Sequence, residues 1–389
     1  MSDDLGKWLM EHEDNILHDI AQLVNMDSPT GDKAAVDRLG QSLSGMMASA
    51  GAAGEVESFP QTEKGDHLLA RWSFGSGSGV VFDQDRRPAL ILCHSDTVFD
   101  LGEAARRPFR RGGNRAYGPG VLDMKAGIVI GLWALRALAA AGGGPKRDAW
   151  FLVTSDEEVG SPSSRNLIEE LARQCAYVLV LEPGVAPDGK LKTWRKGVGM
   201  FHLTCHGRAA HAGVDPERGI SAIEEMARQI QRLHDLTDFG RDLTVNVGVV
   251  RGGSRSNVVA ERAEADIDVR VMTAEDGREI AALISNLGPI LPGARVEVSG
   301  GMNRPPMERS DAMGRMFSHV QNLGQEWGLE VEETGTGGGS DGNFTAGAGV
   351  PTLDGLGAVG DGAHTADEFI IVDSLWRRAA LIARVLETL

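Results

Sequence analysis

The apolar positions of the chain follow two patterns, one typical of buried strands and one typical of helices. Four short runs are continuously apolar, as expected of strands buried on both faces of a sheet, at 88–93, 149–154, 176–181 and 349–353. Helical spacing of apolar residues lies between these runs, at about 124–141 and 163–173. This order predicts an α/β domain, with a mixed sheet sandwiched by helices.

The N-terminal part of the chain adds further elements to this domain. Helical spacing predicts helices at about 4–24 and 33–50, separated by a polar loop. Short strands are predicted at 56–60 and 67–74, and a glycine-rich turn at 75–79.

A different order of elements runs from about residue 188 to residue 302. The pattern predicts strand, helix, strand, strand, helix and strand, at 192–205, 215–233, 243–250, 261–271, 274–287 and 294–299. This βαββαβ order is that of a ferredoxin-like unit. Because 389 residues exceed one ordinary core, we expect one domain formed by 1–187 and 303–389, with an inserted domain at 188–302.

Composition and charge limit the partners of the protein. The net charge is −16 without a basic stripe, which argues against nucleic acid as a partner. Cys93, Cys175 and Cys205 lie in apolar runs and are expected to be buried thiols in a reducing compartment. The N-terminus has no apolar signal core, and no window approaches a membrane span. We therefore expect a cytoplasmic protein without a membrane partner.

Polar residues follow the predicted strands at the point where each strand ends. They are histidines and carboxylates without cysteine, namely His94, Glu157, Glu158, Glu182 and His364, together with Asp123 at the start of a predicted helix. Ligands of α/β sheets bind outside the carboxyl ends of the strands. Such a set of donors suits a hydrolytic zinc site. Two interpretations nevertheless remain open, since Asp123 also suits a helix N-cap and the Asp-Glu-Glu run suits a solvated acidic loop.

The spacing of these residues indicates separate roles. His94 and Asp96 are two positions apart, so on extended backbone they point to the same side. Asp96 would then accept the second ring N–H of His94, although a simple turn with local hydrogen bonds explains the spacing as well. Glu157 and Glu158 are adjacent and diverge, so one would bind metal while the other serves as general base.

Five sequence segments together resemble one known family. The segments HSDTV, GPGVLDMKAG, TSDEEVGS, LEPG and GDGAHT resemble, in this order, the motifs of the M20 di-zinc metallopeptidases, and most closely the glutamate carboxypeptidase branch. The resemblance covers about residue 10 to the C-terminus. It implies two Zn²⁺ per subunit, with Co²⁺ or Mn²⁺ as possible substitutes.

The resemblance also implies a role for each residue of the site. Asp123 would bridge the two ions, His94 and Glu182 would complete one, and Glu158 and His364 the other. Glu157 would be the general base and Asp96 the orienting partner of His94. A cis peptide bond is implied between Asp123 and Met124.

For the inserted domain, the resemblance implies a lid that also forms the surface of a homodimer. His211, in HGRAAHAGVDPERG, would reach the substrate carbonyl from the partner subunit, and Asn257 and Arg270 would hold substrate. From the residues alone, His211 also suits a histidine that caps a helix, and Arg270 suits an ion-paired strand residue. The segment GTGGGSDG lacks the lysine of a phosphate-binding loop. By resemblance, the backbone N–H groups of Gly338, Gly339 and Ser340 would face the substrate carboxylate.

The expected activity is hydrolysis of an amide bond in an N-acyl amino acid or a short peptide with a free carboxylate. The two ions would bring the pKa of a bridging water towards ~7, and Glu157 would take its proton and deliver it to the leaving amine. An acetylornithine- or succinyl-diaminopimelate-type deacylase, or a dipeptidase, remains an alternative with the same metal centre. A non-catalytic binding protein of the same fold is a further alternative, although all ligand candidates and Glu157 are present.

Overall fold

The computed structural model describes residues 2–73 and 86–389, which divide into two compact units. The first unit comprises Met1–Trp194, Arg309–Gly335 and Ser340–Leu389. The second comprises Arg195–Glu308 and Thr336–Gly339, whereas the predicted insertion is 188–302. Phe74 and the predicted turn at 75–79 lie outside the described residues.

The helices and strands are numbered here in chain order. The helices are α1 (Ser2–Glu11), α2 (Glu13–Val24), α3 (Lys33–Ser49), α4 (Glu103–Arg106), α5 (Ala126–Ala140), α6 (Arg165–Gln174), α7 (Ala222–His234), α8 (Ala274–Ser285), α9 (Asp311–Gly324), α10 (Gly342–Gly347) and α11 (Leu375–Thr388). The strands are β1 (Glu57–Phe59), β2 (His67–Trp72), β3 (Ala89–His94), β4 (Arg110–Gly112), β5 (Arg115–Tyr117), β6 (Ala149–Thr154), β7 (Tyr177–Val180), β8 (Leu191–Arg195), β9 (Gly197–His206), β10 (Thr244–Gly252), β11 (Arg262–Val271), β12 (Arg295–Arg304), β13 (Glu333–Thr336), β14 (Thr352–Leu353), β15 (Gly360–Asp361) and β16 (Phe369–Ile371).

The main sheet of the first unit has the strand order β1-β2-β6-β3-β7-β14. Strands β6, β3, β7 and β14 are parallel, and β1 and β2 are antiparallel additions at one side. The predicted mixed sheet is therefore confirmed. Every residue of β3 is buried, as its continuous apolar run predicts for a central parallel strand. The carboxyl ends of β3, β6 and β7 consequently meet at one edge of the sheet.

Helix α5 packs very closely against the end of β7. It is apolar on nearly every side, and the residues from Ala126 to Leu135 are all buried. A Cβ atom added to Gly127 would lie 2.2 Å from the carbonyl oxygen of Leu181, so only glycine permits this approach. The predicted helix at 124–141 begins later than expected, because Val121–Lys125 forms a wider π-type turn. Within residues 2–73 and 86–389, no helix combines the length and apolar character needed to cross a membrane.

The predicted helix at 4–24 is interrupted at His12. Its backbone N–H donates to Leu9 rather than to Trp8, because its ring Nδ1 contacts the Trp8 carbonyl at 2.7 Å. The helical hydrogen-bond pattern is therefore interrupted at this residue, so α1 ends at Glu11 and α2 begins at Glu13.

The second unit is built on an antiparallel sheet of order β10-β11-β9-β12. Its elements follow the order β9–α7–β10–β11–α8–β12, the predicted βαββαβ. Alternate residues of β11 are buried and form one core with the apolar residues of α7 and α8, so both helices cover the same face. The predicted strand at 192–205 is divided at Lys196 into β8 and β9.

Candidate metal centre

Five imidazole and carboxylate side chains of the first unit meet at the carboxyl ends of its parallel strands. His94 is the last residue of β3, Glu182 follows β7, and Glu158 lies in a short 3-10 turn after β6. Asp123 lies in the π-type turn before α5, and His364 lies in the loop between β15 and β16. Elements that are distant in sequence therefore bring these residues to one place.

Asp123 stands at the centre of this group, with its two carboxylate oxygens facing different partners. Oδ1 lies 3.2 Å from Nε2 of His94, which lies 3.5 Å from Oε1 of Glu182. Oδ2 lies 3.2 Å from Nε2 of His364, which lies 3.3 Å from Oε2 of Glu158. The geometry thus forms two imidazole–carboxylate pairs joined by one shared carboxylate.

The backbone at two of these residues is unusual. The peptide bond between Asp123 and Met124 is cis, as the family resemblance implies. His364 has a φ of 64°, a left-handed conformation that is uncommon for residues other than glycine and is concentrated at functional sites. Arg107 supports the loop of His364, because its guanidinium donates to the carbonyl of Ala366 at 2.8 Å.

The buried carboxylate of Asp96 faces the turn after β6 more directly than it faces His94. It accepts the backbone N–H groups of Glu157 and Glu158, each at 3.2 Å, and the hydroxyl of Thr30 at 2.7 Å. Nδ1 of His94 lies 3.0 Å from the backbone carbonyl of Asp96 and 3.5 Å from its Oδ1. The shorter orienting contact of His94 is therefore made by the main chain of Asp96, not by the predicted side chain.

A residue that the sequence prediction missed, Glu368, supports the loop around Asp123. Its buried carboxylate accepts the N–H groups of Gly120 at 2.8 Å, Leu122 at 2.7 Å and Asp123 at 2.9 Å. Burial raises the pKa of Glu368 to about 7, although these three hydrogen bonds act in the opposite direction. The only sequence signal was a glutamate four positions after the predicted ligand His364.

Lys125 is a second missed residue in the same turn. Its side chain is buried, and its Nζ donates to the carbonyls of Met26 at 2.8 Å and Pro119 at 3.4 Å. Burial lowers the pKa of Lys125 to about 8, while the negative charges of Glu368 and Asp27 oppose this shift. Lys125 thus ties the turn before α5 to the loop after α2.

The electrostatics of the group favour positive charge. Burial alone would lower the pKa of His94, but hydrogen bonds to carboxylates, first that of Asp123, raise this pKa well above its usual value. Hydrogen bonds to Asp123 and Glu158 raise the pKa of His364 to about 10, against a smaller effect of burial. The carboxylates therefore stabilise cations at this position.

These side chains fit divalent metal ions. Ligand atoms of His94, Asp123 and Glu158 lie within 4.8 Å of one another. Oε1 of Glu158 is buried and has no hydrogen-bond partner among the described residues, which is costly for a carboxylate unless a cation binds it. Imidazoles and carboxylates without a thiolate are a donor set that suits a catalytic zinc ion.

His211 and Asn257 are neighbours on the exposed surface of the second unit. The N–H of Ala212 donates to the carbonyl of Asn257 at 3.0 Å, and His211 pairs with Val258 in an antiparallel bridge. Nδ1 of His211 accepts the N–H of Gly213 at 3.1 Å. In the neutral imidazole the proton therefore resides on Nε2, which leaves that atom as a hydrogen-bond donor.

Arg270 is also in the second unit, where its guanidinium already has partners. Nε and one terminal nitrogen bind both carboxylate oxygens of Asp268, at 2.9 and 2.8 Å. The other terminal nitrogen donates to the carbonyl of Gly337 at 3.1 Å. Arg270 is thus an ion-paired strand residue whose free hydrogen-bonding capacity is reduced.

The glycine loop of the second unit uses its carbonyls to bind arginine. Arg195 donates to the carbonyls of Gly338 and Gly339, at 3.1 and 3.2 Å. The N–H of Gly338 donates to the hydroxyl of Thr336 in a long contact of 3.3 Å.

Ser340 begins the last segment of the first unit and is fully buried. Its N–H donates to Oδ1 of Asn343 at 2.9 Å, and its hydroxyl donates to Oδ2 of Asp354 at 2.6 Å. Both donors of Ser340 therefore serve the protein itself in this arrangement.

A mixed α/β sheet with imidazoles and carboxylates at its strand ends defines a metal-dependent hydrolase of the peptidase and amidohydrolase class. The model of the peptidase family M20/M25/M40 matches residues 90–388, and the chain belongs to this family. It is 29% identical to carboxypeptidase G2 of Pseudomonas sp. (strain RS-16), over 98% of this chain and 94% of that protein. It is 28% identical to acetylornithine deacetylase of Klebsiella pneumoniae, over 69% of this chain and 71% of that protein. A tripeptidase from Staphylococcus aureus has a TM-score of 0.77 at 22% identity, covering 96% of this chain and 98% of that chain.

Proposed function

We propose that this metallopeptidase is a di-zinc amidohydrolase of the glutamate carboxypeptidase type. Its substrate would be an N-acyl amino acid or a short peptide with a free carboxylate. The observation that carries the proposal is the two-sided contact of Asp123. His94 and Glu182 would hold one zinc ion, Glu158 and His364 the other, and Asp123 would bind both. Co²⁺ or Mn²⁺ would be accepted by the same imidazole and carboxylate donors.

Glu157 is the proposed general base. Zinc held by these ligands would lower the pKa of a bound water and polarise the amide carbonyl. Glu157 accepts the proton of that water, holds it on its carboxylate and delivers it to the leaving amine. Its backbone N–H donates to the carboxylate of Asp96 at 3.2 Å, which holds the turn that carries the proposed base.

His211 is proposed to donate Nε2–H to the substrate carbonyl as negative charge develops on its oxygen. Asn257, its neighbour on the surface, and Arg270 would recognise the substrate carboxylate, together with the N–H groups of the glycine loop at Gly338 and Gly339. Because both donors of Ser340 are used internally, we assign Ser340 to holding this loop.

We further propose a homodimer formed through the second unit. Strand β10 lies at the edge of its sheet and displays apolar residues to solvent, with Val249 at 40% and Val250 at 56% exposure. Ile223 on the adjacent α7 is 48% exposed. An open strand edge beside exposed apolar side chains suits pairing with a second copy of the chain. Light scattering tests this proposal, and a monomer at micromolar concentration would contradict it.

A cytoplasmic location is proposed on the basis of the cysteines. Cys93, Cys175 and Cys205 are all free and buried, as expected where thiols stay reduced. Fractionation of the producing cells is the test, and recovery of the protein outside the cytoplasmic fraction would contradict the proposal.

Deacylation of N-acetylornithine or of succinyl-diaminopimelate, or dipeptide hydrolysis, is the alternative on the same metal centre. The chain is 29% identical to carboxypeptidase G2 over 98% of its length, whereas it is 26% identical to the acetylornithine deacetylase of Erwinia tasmaniensis over 95% of its length. This difference favours the carboxypeptidase type.

The test is to measure zinc content and kcat/KM of the purified protein. Substrates would be an N-acyl-glutamate, N-acetylornithine, N-succinyl-diaminopimelate and a dipeptide, before and after chelation and zinc restoration. We expect about two zinc ions per subunit, chelator-sensitive activity and the highest kcat/KM for the acyl-glutamate. A higher value for another substrate would select that alternative, and a zinc-loaded protein that hydrolyses none of them would be a binding protein.

A further inference from the structure

A histidine outside the metal group, His67, lies fully buried at the start of β2. Its Nδ1 lies 3.0 Å from the hydroxyl of Ser155, and its Nε2 lies 3.2 Å from the hydroxyl of Ser163. Ser155 directly follows β6, and Ser163 lies two residues before the start of α6 at the other end of the connection. The imidazole therefore touches both ends of the segment that carries Glu157 and Glu158.

We propose that His67 is a positioning residue. It binds both ends of the segment 155–164 and so holds Glu157 and Glu158 in place. The inference rests on the proposed function for the roles of these two glutamates. His67 itself touches neither substrate nor metal in this proposal. It acts through the hydroxyls of Ser155 and Ser163.

The hydrogen bonds around His67 form one continuous chain. The hydroxyl of Ser155 donates to the carbonyl of Gly65 at 2.5 Å, so its oxygen is left to accept Nδ1–H of His67. The hydroxyl of Ser163 lies 2.7 Å from Oδ2 of Asp156 and 3.2 Å from Nε2 of His67. Ser163 donates its hydroxyl proton to Asp156, so this hydroxyl links the ring of His67 to Asp156.

Asp156, which lies within the segment, binds the end of the segment next to α6. Its Oδ2 also accepts the N–H of Ser163 at 2.6 Å and that of Ser164 at 3.3 Å. Burial lowers the pKa of His67, although the charge of Asp156 acts in the opposite direction. Because Asp156 immediately precedes Glu157, any loosening of this chain changes the backbone that carries the proposed base.

The test uses two variants and one matched control. His67→Asn shortens the side chain and breaks at least one of its two contacts. Ser163→Ala removes the hydroxyl that contacts both His67 and Asp156, without changing β2. His319→Asn is the control, because His319 also binds a hydroxyl, that of Thr388 at 2.7 Å. The contact between His319 and Thr388 joins α9 to α11, and neither helix carries a residue of the metal group.

Two quantities are measured for each protein. One is kcat and KM of the zinc-loaded enzyme, and the other is hydrogen exchange of segment 155–164 in the metal-free protein. For His67→Asn and Ser163→Ala we expect kcat to fall about 10–100-fold, as for other partners that orient metal ligands, with KM within about twofold. Exchange at Ser163 and Ser164 should accelerate. The double variant should lose no more than the worse single variant, because both act through one chain.

The inference is overturned if exchange of the segment stays at the wild-type rate, or if it accelerates without a fall in kcat. An equal fall in kcat in His319→Asn would also overturn it, since the effect would then be general. If His67→Asn does not fold, the inference is tested with Ser163→Ala alone. Should wild-type protein hydrolyse no substrate, the proposed function fails by itself. Zinc affinity is then measured in place of kcat. A loss of zinc affinity smaller than about 10-fold in the variants would reject the inference.

Discussion

The carboxylate of Glu368 accepts the backbone N–H of Asp123 at 2.9 Å, although 245 positions separate the two residues in the chain. Two further N–H groups of the same turn, those of Gly120 and Leu122, bind this carboxylate. Asp123 is therefore held by its main chain while its side chain faces both imidazoles. A carboxylate that fixes the backbone of a shared ligand would also fix the positions of the two halves of the metal site relative to each other.

Replacing Glu368 with glutamine should weaken metal binding and the fold together. The amide offers one acceptor oxygen and turns an NH₂ group towards backbone donors, so at least one of three N–H groups loses its partner. We expect zinc affinity to fall about 10–100-fold and the free energy of unfolding to fall by about 1–3 kcal/mol. Competition with a chromogenic chelator and urea unfolding measure these effects. Asp367→Asn, an exposed neighbour, is the control, and equal behaviour of the two variants would contradict the assigned role.

Glu157→Ala should retain both metal ions and lose turnover. Glu157 is the carboxylate of the turn that is not assigned to a metal, so its removal leaves the proposed ligands intact. Loss of a general base typically costs about 10²–10⁴-fold in kcat. Zinc content and kcat are measured on the same preparation, with Glu158→Ala as a comparison that should lose metal as well. A kcat close to that of the wild type would show that another group takes the proton.

Asp96→Asn should disturb the turn after β6 more than the ring of His94. The asparagine oxygen still accepts one backbone N–H, but its NH₂ group cannot accept the second, so Glu157 or Glu158 loses its anchor. We expect kcat to fall about 10–100-fold with a smaller effect on zinc affinity. Thr30→Val, which removes only the hydroxyl bond to Asp96, should give a smaller loss. Release of zinc without loss of kcat per bound ion would instead favour the role of Asp96 as orienting partner of His94.

Local pattern predicted the sheet well because buried parallel strands have a continuous apolar sequence. The run at 149–154 coincides with β6, and the polar residues after such runs lie at one sheet edge because parallel strands share a direction. The position of His94 and Glu182 beside each other followed from this rule. The pattern also placed Asp123 and His364 near this edge, whereas the position of Asp123 between the two imidazole–carboxylate pairs followed only from the family resemblance.

Contacts between distant loops escaped the sequence because no local period reports them. Thr30 binds Asp96 from 66 positions away, and His67 reaches Ser155 from 88 positions away. Each of these side chains has an ordinary local explanation in a turn or a strand. For Ser340, the family resemblance implied a ligand contact, whereas Asn343 and Asp354 engage both of its donors in the structure.

The stability of the second unit should depend on pH through Glu225. Its buried carboxylate accepts hydrogen bonds from Gln229 and Leu291, both at 2.7 Å, and from Ile290 at 2.9 Å. Burial opposes the charge, but these hydrogen bonds outweigh it and hold the pKa of Glu225 below its usual value. Because the folded pKa is the lower one, the stabilisation is present above the unfolded pKa of about 4.3 and is lost as the pH falls through the folded pKa.

Glu225→Gln tests this dependence. At pH 7 the variant should be less stable than the wild type by about 1–3 kcal/mol, because a hydrogen-bonded buried charge is replaced by a neutral amide. The difference should shrink as the pH falls below about 4. Glu224→Gln is the control, since Glu224 is its exposed neighbour. A stability difference that stays constant between pH 7 and low pH would contradict the assignment.

The proposed donor His211 belongs to the second unit, while all five proposed metal ligands belong to the first, so the donor could come from either subunit of a dimer. His211→Ala should reduce kcat and leave zinc content unchanged, because an oxyanion donor acts mainly in the transition state. His211→Ala and Glu157→Ala proteins, each inactive alone, are then mixed under conditions that let dimers exchange. If the donor comes from the neighbour, one site of each mixed dimer keeps both groups, and about a quarter of all sites become active after random exchange. If His211 serves its own subunit, every site lacks one group. No recovery despite exchange proven by mass-labelled subunits would therefore rule out a donor from the partner.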